Sequence, residues 1–266
     1  MASSYYQNKK IWLTGASSGI GEALCKTLSE YGAFLIISSR NEESLEATRK
    51  SLAHPEKCKI YPIDLSNPEN VEEVSSLVLK AEGPIDMLIN NAGISQRDYV
   101  INTATEVDRQ LMEVNYFANI AIAKKLLPSM LERGSGHFVI MSSVTGHLGT
   151  PMRSGYAASK HALHGFYDSL RAETEPNGIK TTIICPGYIQ TNISINALTG
   201  DGSPQNKMDE NTNKGMTPNN LAIKALNGVA KGKKEIYIGG KEILGIYIKR
   251  YMPWLYYRII RNYKKP

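Results

Sequence analysis

Cysteine is scarce in this chain: 266 residues hold three, Cys25, Cys58 and Cys185, with no CxxC spacing. Falling in helical, loop-to-strand and strand contexts, they read as reduced thiols, which argues against a disulfide framework or a cysteine metal centre and points to a cytoplasmic protein. Long apolar runs are absent as well. No stretch reaches the ~18 apolar residues of a membrane span, and Met1 to Lys10 lacks the apolar core of a secretory signal. Acidic residues are missing from positions 243–266, which hold Lys249, Arg250, Arg258, Arg261, Lys264 and Lys265. Those six account for the whole net charge of +6, because taking them from the 31 basic residues leaves 25 against 25 acidic ones. So balanced a body carries no electrostatic footprint for nucleic acid. Repeats and low-complexity linkers are also lacking.

What is present is an alternation of strand and helix. Short apolar runs rich in β-branched residues occur at Ile11–Leu13, Phe34–Ile37, Ile60–Ile63, Met87–Ile89, Phe138–Met141, Thr182–Ile184 and Ile236–Ile238. Runs of this kind read as buried parallel strands. Between them lie amphipathic stretches at 22–31, 42–53, 68–81, 105–133, 154–175 and 218–231, so the chain is expected to form one doubly wound α/β domain with its ligand at the carboxyl edge of seven strands. The irregular segment 188–216 is too long to be an idle connection and reads as a substrate lid.

Two groups of residues carry chemistry. Lys10 to Cys25 runs from a strand through Gly15, Gly19 and Gly21 into a helix, a turn in which the backbone can approach a pyrophosphate and meet it with free N–H groups. Further on stand Ser143, Tyr156 and Lys160. Tyr156 and Lys160 are at i and i+4, on one helix face. An ammonium ~4 Å from a phenol, at an effective dielectric of about 20, favours the phenolate by ~4 kcal/mol, which predicts a Tyr156 pKa lowered toward neutrality. Such a tyrosine exchanges a proton with an alcohol or ketone.

Together these motifs resemble the classical short-chain dehydrogenase/reductase family over roughly residues 9–240. Thr14 to Gly21 matches its cofactor loop, Asn90-Asn-Ala-Gly93 its fourth-strand motif, Asn115 its helix asparagine, Ser143, Tyr156 and Lys160 its catalytic set, and Pro186-Gly187 with Thr191 its nicotinamide loop. The segments Asn91 to Gln96, Tyr156 to Ala162 and Pro186 to Asn192 are similar to the member 7B-like branch. The resemblance implies a single-domain Rossmann fold over 1–242, followed by a basic amphipathic extension over 243–266. It also implies roles. Tyr156 would be the acid or base, Ser143 would hold the substrate oxygen, Lys160 would also bind the nicotinamide ribose, and Asn115 would hold a water linking Lys160 to solvent. Dinucleotide contacts would come from Gly15, Ser17, Ser18, Gly19, Ile20 and Gly21. Asp64 and Leu65 would meet the adenine, and Asn91, Ala92 and Gly93, then Pro186, Gly187, Ile189 and Thr191, would line the rest.

Cofactor choice turns on Arg40. An arginine at the end of the second strand, with no carboxylate beside it, suits a 2′-phosphate and therefore NADP(H); the alternative is a solvated residue at a helix start. Asp64 reads equally as a turn residue. His161 and His164, at i and i+3, are joined by no acid or cysteine at metal-ligand spacing, so no metal is expected. His147 reads as an exposed loop histidine, or as a neighbour of the substrate.

The expected activity is therefore NADP(H)-dependent interconversion of a ketone or aldehyde and an alcohol on a lipophilic small molecule. A 3-oxoacyl-carrier-protein reductase shares the core but generally ends soon after the last strand, and a non-catalytic NADP(H)-sensing scaffold would have lost Tyr156 or Lys160. From the resemblance a homodimer or homotetramer is expected through 105–133 and 154–175. In the extension, a helix from Pro253 would present Leu255, Tyr256, Ile259, Ile260 and Tyr263 on one face and Arg258, Arg261 and Lys265 on another. That pattern suits the surface of an anionic membrane, or packing against the protein's own body.

Overall fold

The seven apolar runs become seven strands of one parallel sheet in a computed structural model that describes residues 2–262. The strands are β1 (Lys10–Thr14), β2 (Phe34–Ser38), β3 (Cys58–Ile60), β4 (Met87–Asn90), β5 (Gly136–Met141), β6 (Ile179–Pro186) and β7 (Glu235–Ile238), in the spatial order β3-β2-β1-β4-β5-β6-β7. Strand order reverses between β1 and β4, so a crevice opens there at the carboxyl edge. Eleven α-helices accompany the strands among the described residues: α1 (Ala2–Tyr6), α2 (Gly19–Glu30), α3 (Glu42–Lys50), α4 (Pro68–Glu82), α5 (Thr105–Met112), α6 (Ala118–Arg133), α7 (Ser154–Thr174), α8 (Glu210–Asn213), α9 (Pro218–Ala230), α10 (Leu244–Tyr251) and α11 (Pro253–Arg261).

Because side chains alternate along a strand, successive residues enter different cores. Ile11, Leu13, Ile37 and Ile89 pack with Leu24 and Leu28 of α2 and Ala225 of α9. Trp12, Ile36, Leu88 and Phe138 pack with Val78 of α4, Ile122 of α6 and Leu163 of α7. Both faces are covered, which is why the strands read as unbroken apolar runs rather than as alternating ones.

Two expectations need correction, and one element was not anticipated. The third strand is Cys58–Ile60, not Ile60–Ile63, because Pro62 has no N–H; beyond Ile60 only Tyr61 N and Ile63 N still reach β2, at Ile37 O and Ser39 O. The expected helix 105–133 is two helices joined by a π-helical turn over Glu113–Phe117. The N-terminal stretch, which carried no signal, holds α1, pinned by Tyr6 Oη donating to Leu226 O (2.6 Å) and by a 2.9 Å bond between Tyr5 Oη and His137 Nδ1.

His137 has a measurable consequence. Its second nitrogen meets Thr182 Oγ1 at 2.9 Å, and burial, aided by Lys180 and Lys9, pushes its pKa down to about 3. The unfolded chain takes up this proton below pH ~6.5, whereas the folded chain resists it until about pH 3. Stability should therefore fall with pH through that window, at up to ~1.4 kcal/mol per unit from this residue. Urea titrations at pH 7 and 5 check it: His137→Asn should lose about 1–2 kcal/mol less than the parent on that step.

Candidate active site

At the β1–α2 turn the backbone is shaped for close approach. Gly15 and Gly19 have φ of 68° and 56°, a region that costs any residue with a Cβ. A Cβ on Gly21 would lie 1.9 Å from Gly15 O, and one on Gly15 would lie 2.8 Å from Ala92 Cα. Thr14 Oγ1 accepts from Asn91 N and Ala92 N, both at 3.2 Å, and Asn91 Nδ2 donates to Thr14 O and Gly15 O, both at 3.1 Å. The two motifs thus brace one another across the switch point, leaving a cleft of about 320 Å³ that ends at the N-terminus of α2. Gly15, Ser17, Ser18, Gly19, Ile20 and Gly21 line it, as do Arg40, Asp64, Leu65, Asn91, Ala92, Gly93 and Thr191. A dinucleotide fits this arrangement: bare backbone and a helix N-terminus for its phosphates, and the exposed Arg40 at the far end. Asp64 is already engaged, accepting from Ser66 N (3.0 Å) and Ser66 Oγ (2.7 Å), bonds that hold its carboxyl below the usual range with help from Arg40.

An adjoining pocket of about 760 Å³ shares Ile20, Asn91, Gly93 and Thr191 with the cleft and contains Ser143, Tyr156, Lys160, Pro186, Gly187 and Ile189. Ser142 and Ser143 diverge as strand alternation predicts. Ser142 Oγ lies 2.9 Å from His164 Nε2, while Ser143 acts on the Tyr156 phenol in the pocket they share. The electrostatics differ from expectation. Lys160 Nζ is 5.8 Å from the Tyr156 ring centroid and donates to Met141 O at 2.9 Å. Burial raises the Tyr156 pKa, against the opposing pull of Ser143, Arg97 and Arg153, and lowers that of Lys160 to about 8, with Cys185 opposing. The predicted lowering of Tyr156 by Lys160 is not what this geometry produces, because desolvation outweighs every charge acting on the phenol.

Asn115 is buried beside the pocket. Its Nδ2 donates to Ile94 O (3.0 Å) and Ser159 Oγ (2.9 Å), and its Oδ1 accepts from Ile94 N (2.8 Å). These bonds use the side chain to hold the turn after Gly93 against α7. Gly187 has a reason of its own: a Cβ there would meet Glu242 Oε1 at 1.8 Å, and that carboxylate accepts from Tyr188 N and Gly240 N, both at 3.0 Å.

Two groups were missed because nothing local marks them. Arg97 and Arg153 share Asp209 in the segment 188–216: Arg97 Nε and Nη2 each lie 2.7 Å from Asp209 Oδ2, Arg153 Nη2 lies 3.2 Å from it, and all three side chains are about 5% exposed or less. The expected lid is therefore pinned by buried charge. His147, read as exposed, instead bonds Glu235 at 2.9 Å, with His164 and Cys185 beside it, whereas His161 turns back to Ala157 O. The extension follows the second of its two expected readings, packing on the body: α10 and α11 roof the pocket. Tyr256 is buried against Val144, Leu148 and Ile246, its hydroxyl donates to Gly149 O, and Lys249 Nζ donates to His147 O at 2.6 Å. The face expected to meet a membrane is thus the one turned inward, and the outward face carries Tyr251, Trp254 and Tyr257. Tyr263, Lys264 and Lys265 lie outside the described residues.

A family model described as short chain dehydrogenase matches residues 9–201. The chain is 40% identical over 265 residues to mouse dehydrogenase/reductase SDR family member 7B, covering 97% of this chain and 82% of the relative. It is 41% identical over 260 residues to the Drosophila melanogaster dehydrogenase/reductase SDR family protein 7-like, covering 95% and 79%. Among solved structures it is similar to a short-chain dehydrogenase from Streptomyces avermitilis, with 28% identity, a TM-score of 0.82 and coverage of 96% and 98%. Another is the Thermococcus sibiricus alcohol dehydrogenase complexed with 5-hydroxy-NADP, with 25% identity, a TM-score of 0.74 and coverage of 88% and 98%.

Proposed function

The chain belongs to the short-chain dehydrogenase/reductase family of oxidoreductases, and we propose that it interconverts a ketone or aldehyde and an alcohol on a lipophilic small molecule with NADP(H). The observation that carries the reading is the convergence of Ser143, Tyr156 and Lys160 in a pocket that opens directly onto the glycine-walled cleft. The bound nicotinamide would supply or accept the hydride. Tyr156, kept in its proton-bearing form by burial, is suited to give a proton to a carbonyl oxygen, and Ser143 to hold that oxygen as charge develops. Lys160 keeps its ammonium charge at neutral pH and lines the pocket with its Nζ close to Gly93, a residue that the pocket shares with the cleft. Val144, Leu148, Ile248, Tyr256 and Ile260 make the outer pocket apolar, which favours a lipophilic substrate over a sugar. Oxidation of NADPH by purified protein across a panel of long-chain ketones and aldehydes tests this; inactivity over the whole panel in both directions would sink it.

Arg40 supports the cofactor choice, as does the NADP-type ligand of the Thermococcus sibiricus neighbour. Arg40→Asp should lower kcat/KM with NADPH about tenfold or more and raise it with NADH, since a carboxylate repels a 2′-phosphate and accepts from a hydroxyl. An unchanged ratio of the two values makes Arg40 a solvated surface residue.

For the extension, no described helix is long and apolar enough to cross a membrane. The outward face of α10 and α11 combines Tyr251, Trp254 and Tyr257, each more than 60% exposed, with Arg250, Arg258 and Arg261. Aromatic rings and basic charge in this combination suit the headgroup layer of an anionic bilayer. Substituting serine for Tyr251, Trp254 and Tyr257 together should weaken binding to phosphatidylserine vesicles at least tenfold while leaving the Tm unchanged. Equal binding by parent and variant would remove the membrane from the proposal.

A further inference from the structure

Behind the catalytic serine lies a cluster that the proposed chemistry does not use. His147 follows β5, His164 sits on α7, Cys185 on β6 and Glu235 on β7, and one donor atom from each lies within 4.8 Å of all the others. We propose that these four residues form a binding site for a single zinc-type divalent cation, which ties the strand end bearing Ser143 to the loop that begins at Pro186.

The spacing approaches that of a tetrahedron. A zinc ion with ligands at ~2.0–2.3 Å requires donor atoms separated by about 3.3–3.8 Å. Cys185 Sγ lies 3.7 Å from His147 Nε2 and 3.8 Å from Glu235 Oε1; His164 Nδ1 lies 3.4 Å from Glu235 Oε1 and His147 Nε2 2.9 Å from it. A histidine–carboxylate hydrogen bond would account for the last of these distances but not for the thiol, which stands 3.7 Å from His147 Nε2 and 3.8 Å from Glu235 Oε1. Two imidazoles, one thiol and one carboxylate are also the donor set of zinc, whereas magnesium and calcium take oxygen ligands.

Outer partners are in place too. Tyr237 Oη donates to Glu235 Oε2 at 2.6 Å, and Ser142 Oγ meets His164 Nε2 at 2.9 Å, so that coordination through His164 Nδ1 leaves the other nitrogen to donate to the serine. On binding, the Cys185 thiol gives up its proton to solvent and ligates as the thiolate. Lys160, which acts on Cys185 from the active-site side, favours that thiolate and in part opposes the cation. With four protein ligands the site is closed, which marks a structural ion rather than a Lewis acid acting on substrate. Its neighbours are nonetheless Ser143 and Pro186, both lining the reaction pocket.

The test uses the full chain, stripped with a chelator and dialysed against zinc chloride, and separately titrated with cobalt(II). One zinc per chain should bind with a Kd of about 1 μM or tighter, and cobalt should produce a thiolate-to-metal band in the near ultraviolet. Cys185→Ser and Glu235→Gln should each weaken zinc at least about tenfold, and Cys185→Ser should abolish the cobalt band. His161→Gln, on the same helix but outside the cluster, should change neither. If Cys185→Ser fails to fold, Glu235→Gln and the parent's cobalt band still decide. Absence of stoichiometric zinc, or binding unaltered in both variants, overturns the site.

Discussion

Replacing Tyr156 with Phe should lower kcat about 10²–10⁴-fold while leaving the Kd for NADPH unchanged, the span expected when a positioned proton donor is removed. The ring is packed against Val107 and Leu111, and Phe keeps that packing, so only the hydroxyl is lost. Stopped-flow hydride transfer together with fluorescence titration of NADPH separates the two effects. Wild-type turnover in the variant would remove Tyr156 from the chemistry. A matching loss of cofactor affinity would instead make the tyrosine a binding residue.

The largest effect on stability should come from Asp209→Asn. Arg97 and Arg153 are almost fully buried and share this one carboxylate, so the group already carries an excess positive charge. Burial works against the Asp209 carboxylate, yet the hydrogen bond and charge of Arg97 hold its pKa below the ordinary range. Removing the negative charge strands two guanidinium groups out of water, a change that costs about 3–5 kcal/mol. In a chain of this size that corresponds to a Tm lower by roughly 6–20 °C. Calorimetry reads it directly, and a shift of less than a degree or two would mean that water reaches the pair. Replacing all three residues with apolar side chains of similar volume should be far less damaging, because a buried ion group is costly chiefly when it is broken.

How much could be read beforehand depended on how local each signal is. The strands were legible because a sheet covered on both faces demands apolar residues at every position, and Trp12 and Leu13 satisfy that although they enter different cores. The turn at Gly15 to Gly21 was legible because its constraint lies within seven residues. Arg97 and Asp209 are 112 residues apart, and Cys185 and Glu235 are 50 apart; each is an ordinary polar residue until the topology brings the partners together. Periodicity found an amphipathic helix at Pro253 to Arg261 but could not say which neighbour its apolar face would meet. For Tyr156 the error was one of magnitude. The charge of Lys160 was weighed, and the loss of water from the phenol was not.

The turn at Glu113–Phe117 governs how the longest helical stretch winds. Buried positions Val107, Leu111, Asn115, Asn119 and Ala123 recur every fourth residue. An α-helix advances about 400° in four residues, so a stripe with that repeat slips ~40° at each step and ~160° across the set. Left uncorrected, Val107 and Ala123 would point to nearly opposite sides. The wider π turn takes back part of the accumulated rotation, so that α5 seats on α7 while α6 seats on α4. Asn115 occupies the point where the winding is reset. Its hold on Ile94 and Ser159 therefore fixes the phase of everything downstream in that helix as well as the shape of the pocket wall.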